Sequence, residues 1–123
     1  MSPARRILVV DDEEEVMLVL SEYFTRQKYQ VEAAGNGQEA VAALERGGID
    51  VVLLDIDMPE LDGIGVLRRL RELDIHVPVI MVTANQDLAL AQECLQLGAV
   101  GYVEKPFDFV ALGRSVAAAL ARK

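Results

Sequence analysis

"VVLLDIDMPELDGIGVL", residues 51–67, begins with four consecutive apolar residues, passes through Asp55 and Asp57, and ends in the spacing of an amphipathic helix. A strand with one solvated face alternates apolar and polar residues, whereas one that is apolar at every position is buried on both faces. Such a strand needs helices above and below its sheet, and the rest of the chain supplies them in alternation. Residues 7–10, 30–34, 79–82 and 101–103 read as four further strands, the second of them weaker than the others. Apolar residues at helical spacing lie between: Val16, Leu20 and Tyr23/Phe24; Ala40, Val41 and Leu44; Leu67 and Leu70; Leu88, Ala91 and Leu95; then Phe109, Leu112, Val116 and Leu120. Alternating strands and helices imply right-handed crossovers and a parallel sheet. The predicted architecture is an α/β three-layer sandwich, with turn signals at "GNG" (35–37), "RGG" (46–48) and "LGAVG" (97–101).

The totals bound the answer. A chain of 123 residues, 52% hydrophobic and 26% charged, is the size of one folded domain, taken here as residues 1–123. Twenty acids against twelve bases leave a net charge of −8, which disfavours direct contact with nucleic acid or anionic membranes. The lone Cys94 forms no internal disulfide and reads as a buried structural thiol, favouring a reducing compartment. "MSPARRILVV" carries too short an apolar run for a signal peptide, and no run is long enough to span a bilayer. These features predict a cytoplasmic protein.

In an open parallel sheet the loops at the carboxyl ends of the strands share one rim, where ligands bind. The first strand is followed by Asp11 and Asp12, the third by Asp55 and Asp57, the fourth by Thr83 and the fifth by Lys105 and Pro106. Carboxylates gathered on one rim repel one another unless a cation offsets them. Hard oxygen ligands without His or Cys favour Mg2+. Lys105 suits a phosphoryl oxygen and Thr83 offers a hydroxyl, so the set describes a magnesium-dependent phosphoryl site. Simpler roles stand beside this one. Glu13, Glu14 and Glu15 read as acids that favour a helix start, Asp11 or Asp12 alone as a helix cap, and Thr83 alone as a strand-end hydroxyl.

"LVVDDEEEV", "VVLLDIDMPELDGIGVL", "PVIMVTA" and "GAVGYVEKPF" occur in this order, each at a strand end. Together they resemble the receiver domain of two-component response regulators, the CheY-like family, across essentially the whole chain. The resemblance implies a flavodoxin-like fold with strand order 2-1-3-4-5 and five helices. It implies a phosphorylation-dependent signalling switch rather than a turnover enzyme, one that catalyses only its own phosphorylation and dephosphorylation. Asp55 would accept a phosphoryl group from a sensor histidine kinase or phosphotransfer protein. Asp12 and Asp55 would bind Mg2+ through their side chains, Asp57 through its backbone carbonyl and Asp11 mainly through a water. Lys105 would pair with the phosphoryl group, next to a cis bond before Pro106. Thr83 would turn inward to the phosphate and Tyr102 would swing from exposed to buried, altering the surface of helix four, strand five and helix five for an output domain or effector. Asp57 and Asn85 would tune how fast water removes the phosphoryl group.

Three rivals remain at this stage. "VVLLDIDMP" also resembles the first motif of haloacid-dehalogenase-type phosphatases, which would use Asp57 as an acid. In those enzymes, however, the completing acid pair comes late in the chain. A flavodoxin would hold its flavin phosphate on Ser, Thr and Gly, where this chain has acids. A receiver used only as a protein-binding module is the third. The kinase, the output partner and a phosphorylation-dependent homodimer are left open by the sequence.

Overall fold

The computed structural model describes residues 4–121, so the first three and last two residues of the expected domain lie outside the described residues. Five strands, β1 (Arg6–Val10), β2 (Gln30–Ala34), β3 (Val51–Leu54), β4 (Val79–Thr83) and β5 (Gly101–Glu104), alternate with five helices. These are α1 (Glu14–Arg26), α2 (Gly37–Arg46), α3 (Gly63–Glu72), α4 (Leu88–Gln96) and α5 (Phe109–Ala121). The sheet is parallel throughout, in the order β2-β1-β3-β4-β5 that the resemblance implied.

Strand side chains alternate between faces, and the two faces are roofed differently. Ile7, Val9, Val51, Leu53, Ile80 and Val82 pack against Leu20 and Phe24 of α1 and Leu112, Val116 and Ala119 of α5. Leu8, Val10, Val52, Leu54 and Met81 face α2, α3 and Cys94 of α4. β3 is buried at all four positions because it is the middle strand and helices cover both its faces. β2 reads weakly in sequence because it is an edge strand, with Gln30 and Ala33 exposed. Cys94 is fully buried, and desolvation, followed by the nearby charges of Glu93 and Asp62, pushes its thiol up to about 11. It is the inert structural thiol expected.

One helix sits differently from its sequence pattern. Leu88, Ala91 and Leu95 give α4 its helical spacing, yet Leu88 is 78% exposed and Leu95 49%. The inner face is made by Cys94, with Leu90 and Leu97 packed beside it. Leu88 and Leu95 are seven residues apart and share the outer face, so an apolar stripe at helical spacing gives the period of a helix but not which side is inward. The end of α4 is closed by Gly98 (φ 108°), whose N–H donates to the Leu95 carbonyl (3.1 Å) while Ala99 donates to Cys94 (3.0 Å). This left-handed turn is easy for glycine, and it delivers the chain into β5.

Candidate functional site

Strand pairing carries each functional residue to the same rim. Val10 is in register with Leu54, and the ladders run one residue further: Asp11 N–H donates to the Ala34 carbonyl (3.2 Å), Asp55 to Val10 (3.1 Å) and Lys105 to Thr83 (2.9 Å). Asp11, Asp55, Thr83 and Lys105 therefore emerge side by side. Three of them hold the loop that follows in the same way, by accepting from the backbone N–H two residues on. Asp11 Oδ1 accepts from Glu13 (2.9 Å), Asp55 Oδ1 from Asp57 (3.4 Å) and Thr83 Oγ1 from Asn85 (3.1 Å). These local bonds fix where the strands stop.

Asp11 and Asp55 are buried and Thr83 is fully so, while Asp12 is exposed. Carboxylate oxygens of Asp11, Asp12 and Asp55 lie within 4.8 Å of one another. Lys105 Nζ is 2.7 Å from Asp11 Oδ2, 3.4 Å from Glu13 Oε1 and 3.5 Å from Asp55 Oδ2. One ammonium thus faces three acids, and with Asp12 the cluster keeps a net negative charge. All donors are hard oxygens on two neighbouring strands, and that set fits Mg2+.

Burial would by itself lower the Lys105 pKa, but the hydrogen bond Lys105 donates to Asp11 and the charges of Asp55 and Asp11 outweigh it, with Glu13 adding to them. The net shift is upward, so the amine is a firm ammonium. Asp55 is raised chiefly by desolvation; Thr83 and Lys105 oppose the rise, Asp11 adds to it and the Asp57 N–H opposes it. Its pH signature follows. A carboxyl whose pKa is higher folded than unfolded ionises later in the folded state, so stability falls as pH climbs from the unfolded to the folded pKa. In magnesium-free buffer, Asp55→Asn is expected to be more stable than wild type, by a margin that widens as pH rises through that window and then levels off. Urea unfolding of both proteins at a series of pH values checks this; a margin that does not change with pH would refute it.

The structure brings Asp11, Asp12, Asp55, Thr83 and Lys105 together, as expected. The Asp57 side chain turns away from the acid cluster: both its oxygens accept from Asn85 Nδ2 at 3.2 Å. Tyr102 is half-buried, and its hydroxyl donates to the Asn85 carbonyl (2.7 Å). Burial and nearby negative charge raise its pKa. The Lys105–Pro106 bond is cis. Glu13 does more than start a helix. It is the N-cap residue of α1 without capping through its side chain, which reaches Lys105 instead, and only Glu14 and Glu15 lie in the first turn. Nothing in the run of acids separated Glu13 from its neighbours, because its partner lies 92 residues away.

Residues 7–117 match the family model for the response regulator receiver domain. The chain is 42% identical over 120 residues to the regulatory protein AtoC of Escherichia coli, covering 98% of this chain and 26% of that protein. It is 39% identical over 103 residues to the sporulation initiation phosphotransferase F of Bacillus subtilis, covering 84% of this chain and 83% of the relative. Among solved structures, the response regulator protein TrrA of Thermotoga maritima in complex with Mg2+ and beryllium fluoride superposes with a TM-score of 0.85 at 34% identity, covering 94% of this chain and 99% of that one. Among the described residues, no helix is long and apolar enough to cross a membrane.

Proposed function

The chain belongs to the response regulator receiver domain family, and on that premise we propose that residues 1–123 form one receiver domain that switches state when Asp55 takes up a phosphoryl group. The observation that carries the reading is the buried Asp55 carboxylate, set between Lys105 and the other two acids of the cluster. Asp55 attacks the phosphorus of a phosphohistidine on a sensor kinase or phosphotransfer protein. A new P–O bond forms, the P–N bond breaks, and the imidazole leaves with the electron pair. Asp11, Asp12 and Asp55, with the Asp57 backbone carbonyl, would hold Mg2+, which supplies positive charge against the carboxylates and the phosphoryl oxygens. The beryllium fluoride complex of the Thermotoga relative, a phosphoryl-like group with Mg2+, supports this assignment.

Lys105 is already 3.5 Å from Asp55, so it needs only a small movement off Asp11 to meet a phosphoryl oxygen. Thr83 Oγ1, buried next to the same carboxylate, donates to another. Positioning and charge compensation are most of what phosphoryl transfer requires. The domain therefore catalyses only its own phosphorylation and dephosphorylation. Thr83 and Tyr102 pass the change to the surface of α4, β5 and α5, where Leu88 and Leu95 of α4 are exposed apolar residues suited to an output domain or effector. A cytoplasmic site of action suits a partner kinase that uses ATP.

Intact-protein mass after incubation with acetyl phosphate tests the reading. A gain of one phosphoryl unit, labile to base, is expected with Mg2+ and is expected to be lost when the metal is chelated. A folded protein that gains nothing with Mg2+ present would reject it in favour of a phosphorylation-independent binding module.

A further inference from the structure

Asn85 is the second residue of the loop between β4 and α4 and is hydrogen-bonded to four different parts of the rim. Its backbone N–H donates to Thr83 Oγ1 (3.1 Å), and its side-chain Nδ2 donates to both oxygens of Asp57 (3.2 Å each). Its Oδ1 accepts from the N–H of Asp87 (2.9 Å), the residue that caps α4. Its carbonyl accepts from the Tyr102 hydroxyl (2.7 Å). Of these four partners, only Asp57 lies in the loop that follows β3.

We propose that Asp57 and Asn85 form a brace between the β3–α3 and β4–α4 loops, and that this brace fixes the carbonyl on which Tyr102 is anchored. Both are positioning residues of the switch, and Asp57 acts there as a hydrogen-bond acceptor, not through its charge. The inference rests on Tyr102 being a switch residue, as proposed above, and adds a control over it besides Thr83. A loop carbonyl holds a tyrosine hydroxyl in place only as firmly as the loop itself is held. Thr83, the last residue of β4, and Asp87, the cap of α4, hold Asn85 only within its own stretch of chain. Asp57 belongs to β3's loop, two residues from Asp55, so through it the Tyr102 anchor is referred to the strand that carries the phosphoacceptor. The Asp57 carboxylate is thereby assigned to the switch, while its backbone carbonyl stays available to the metal site.

The two roles open to Asp57, acceptor and charge, are separable by substitution. Asp57→Asn keeps an acceptor oxygen for Asn85 Nδ2 and removes the charge; Asp57→Ala removes both. The readout is fluorine NMR of protein made with 3-fluorotyrosine and never exposed to a phosphodonor. The chain has three tyrosines, Tyr23, Tyr29 and Tyr102, and Tyr102→Phe identifies the third resonance. Asp57→Ala is expected to shift the Tyr102 resonance and leave those of Tyr23 and Tyr29 unmoved, which also shows that the variant is folded. Asp57→Asn is expected to leave all three in place. Asn85→Ala, which keeps the bonds of the Asn85 backbone and removes Nδ2 together with the Oδ1 acceptor of the Asp87 N–H, is expected to shift Tyr102 as Asp57→Ala does. A Tyr102 resonance unmoved in Asp57→Ala or in Asn85→Ala overturns the brace; equal shifts in Asp57→Asn and Asp57→Ala overturn the acceptor role in favour of charge. A failure of the phosphorylation reading appears separately, as absent mass gain with acetyl phosphate, and leaves these resonances where they are.

Discussion

Asp55→Asn is expected to take up no phosphoryl group under conditions that phosphorylate the wild type fully. A carboxylate oxygen is a competent nucleophile toward phosphorus, whereas an amide oxygen is neutral and far weaker, so the loss is one of chemistry and not of binding. Neighbouring acids are poor substitutes. Asp11 is buried, with one oxygen held by Lys105 and the other by the Glu13 N–H; the Asp57 carboxylate is engaged by Asn85. The variant should remain folded, because Asn nearly matches Asp in shape and relieves a carboxyl that burial disfavours when charged. Intact mass with acetyl phosphate and Mg2+ is the measurement. A base-labile gain retained in the variant would move the phosphoacceptor to Asp11, Asp12 or Asp57 and undo the assignment.

Gly63→Ala should cost much stability for one added methyl group. Gly63 begins α3 and lies against the backbone of the loop that leaves β3; its N–H donates to the Ile56 carbonyl at 2.8 Å. A Cβ at this position would fall 2.3 Å from the Asp55 carbonyl oxygen, 2.8 Å from Ile56 Cα and 3.0 Å from the Asp55 carbonyl carbon. These are backbone atoms, so no side-chain rotation relieves the overlap, and the loop or the helix must shift. Overpacking of this kind costs roughly 1–3 kcal/mol and sometimes more. Because the displaced atoms include the Asp55 backbone, slower phosphoryl uptake should accompany the lower stability. Gly35→Ala is the matched control: its Cβ would meet nothing nearer than Met17 Cε at 3.9 Å. Urea midpoints of the two variants decide the matter. Gly63→Ala unfolding at the wild-type midpoint would show that the close approach carries no energetic weight.

The same comparison of near and far explains what could be read from the chain. β3 was legible because all its neighbours are apolar and its sequence carries no alternation; β2 was faint because an edge strand pairs on one side and tolerates Gln30 and Glu32. The rim residues Asp11, Asp55 and Thr83 were legible because each follows an apolar run directly, and Lys105 because it stands just past Glu104, the end of β5; parallel strands all end on one side. The inward face of α4 was not, since Leu88 and Leu95 satisfy a helical period equally well on the outside. Gly63 passed unremarked because the atoms it approaches are those of the chain's own earlier turn, and no residue type announces that approach.

By itself, then, the sequence determined the elements, their parallel order through the family resemblance, and the chemical inventory of the rim. Those depend on periodicities of two and of 3.6 residues and on what stands at each strand end, all local properties. Only the tertiary structure decided who bonds to whom within the rim. It placed Lys105 on Asp11 across 94 residues of chain, brought Glu13 onto the same ammonium, and turned Asp57 to Asn85 across 28 residues. Such choices turn on ångström-scale distances between side chains delivered by separate strands. The register of those strands is fixed by the packing of the whole sheet, which no stretch of sequence carries alone.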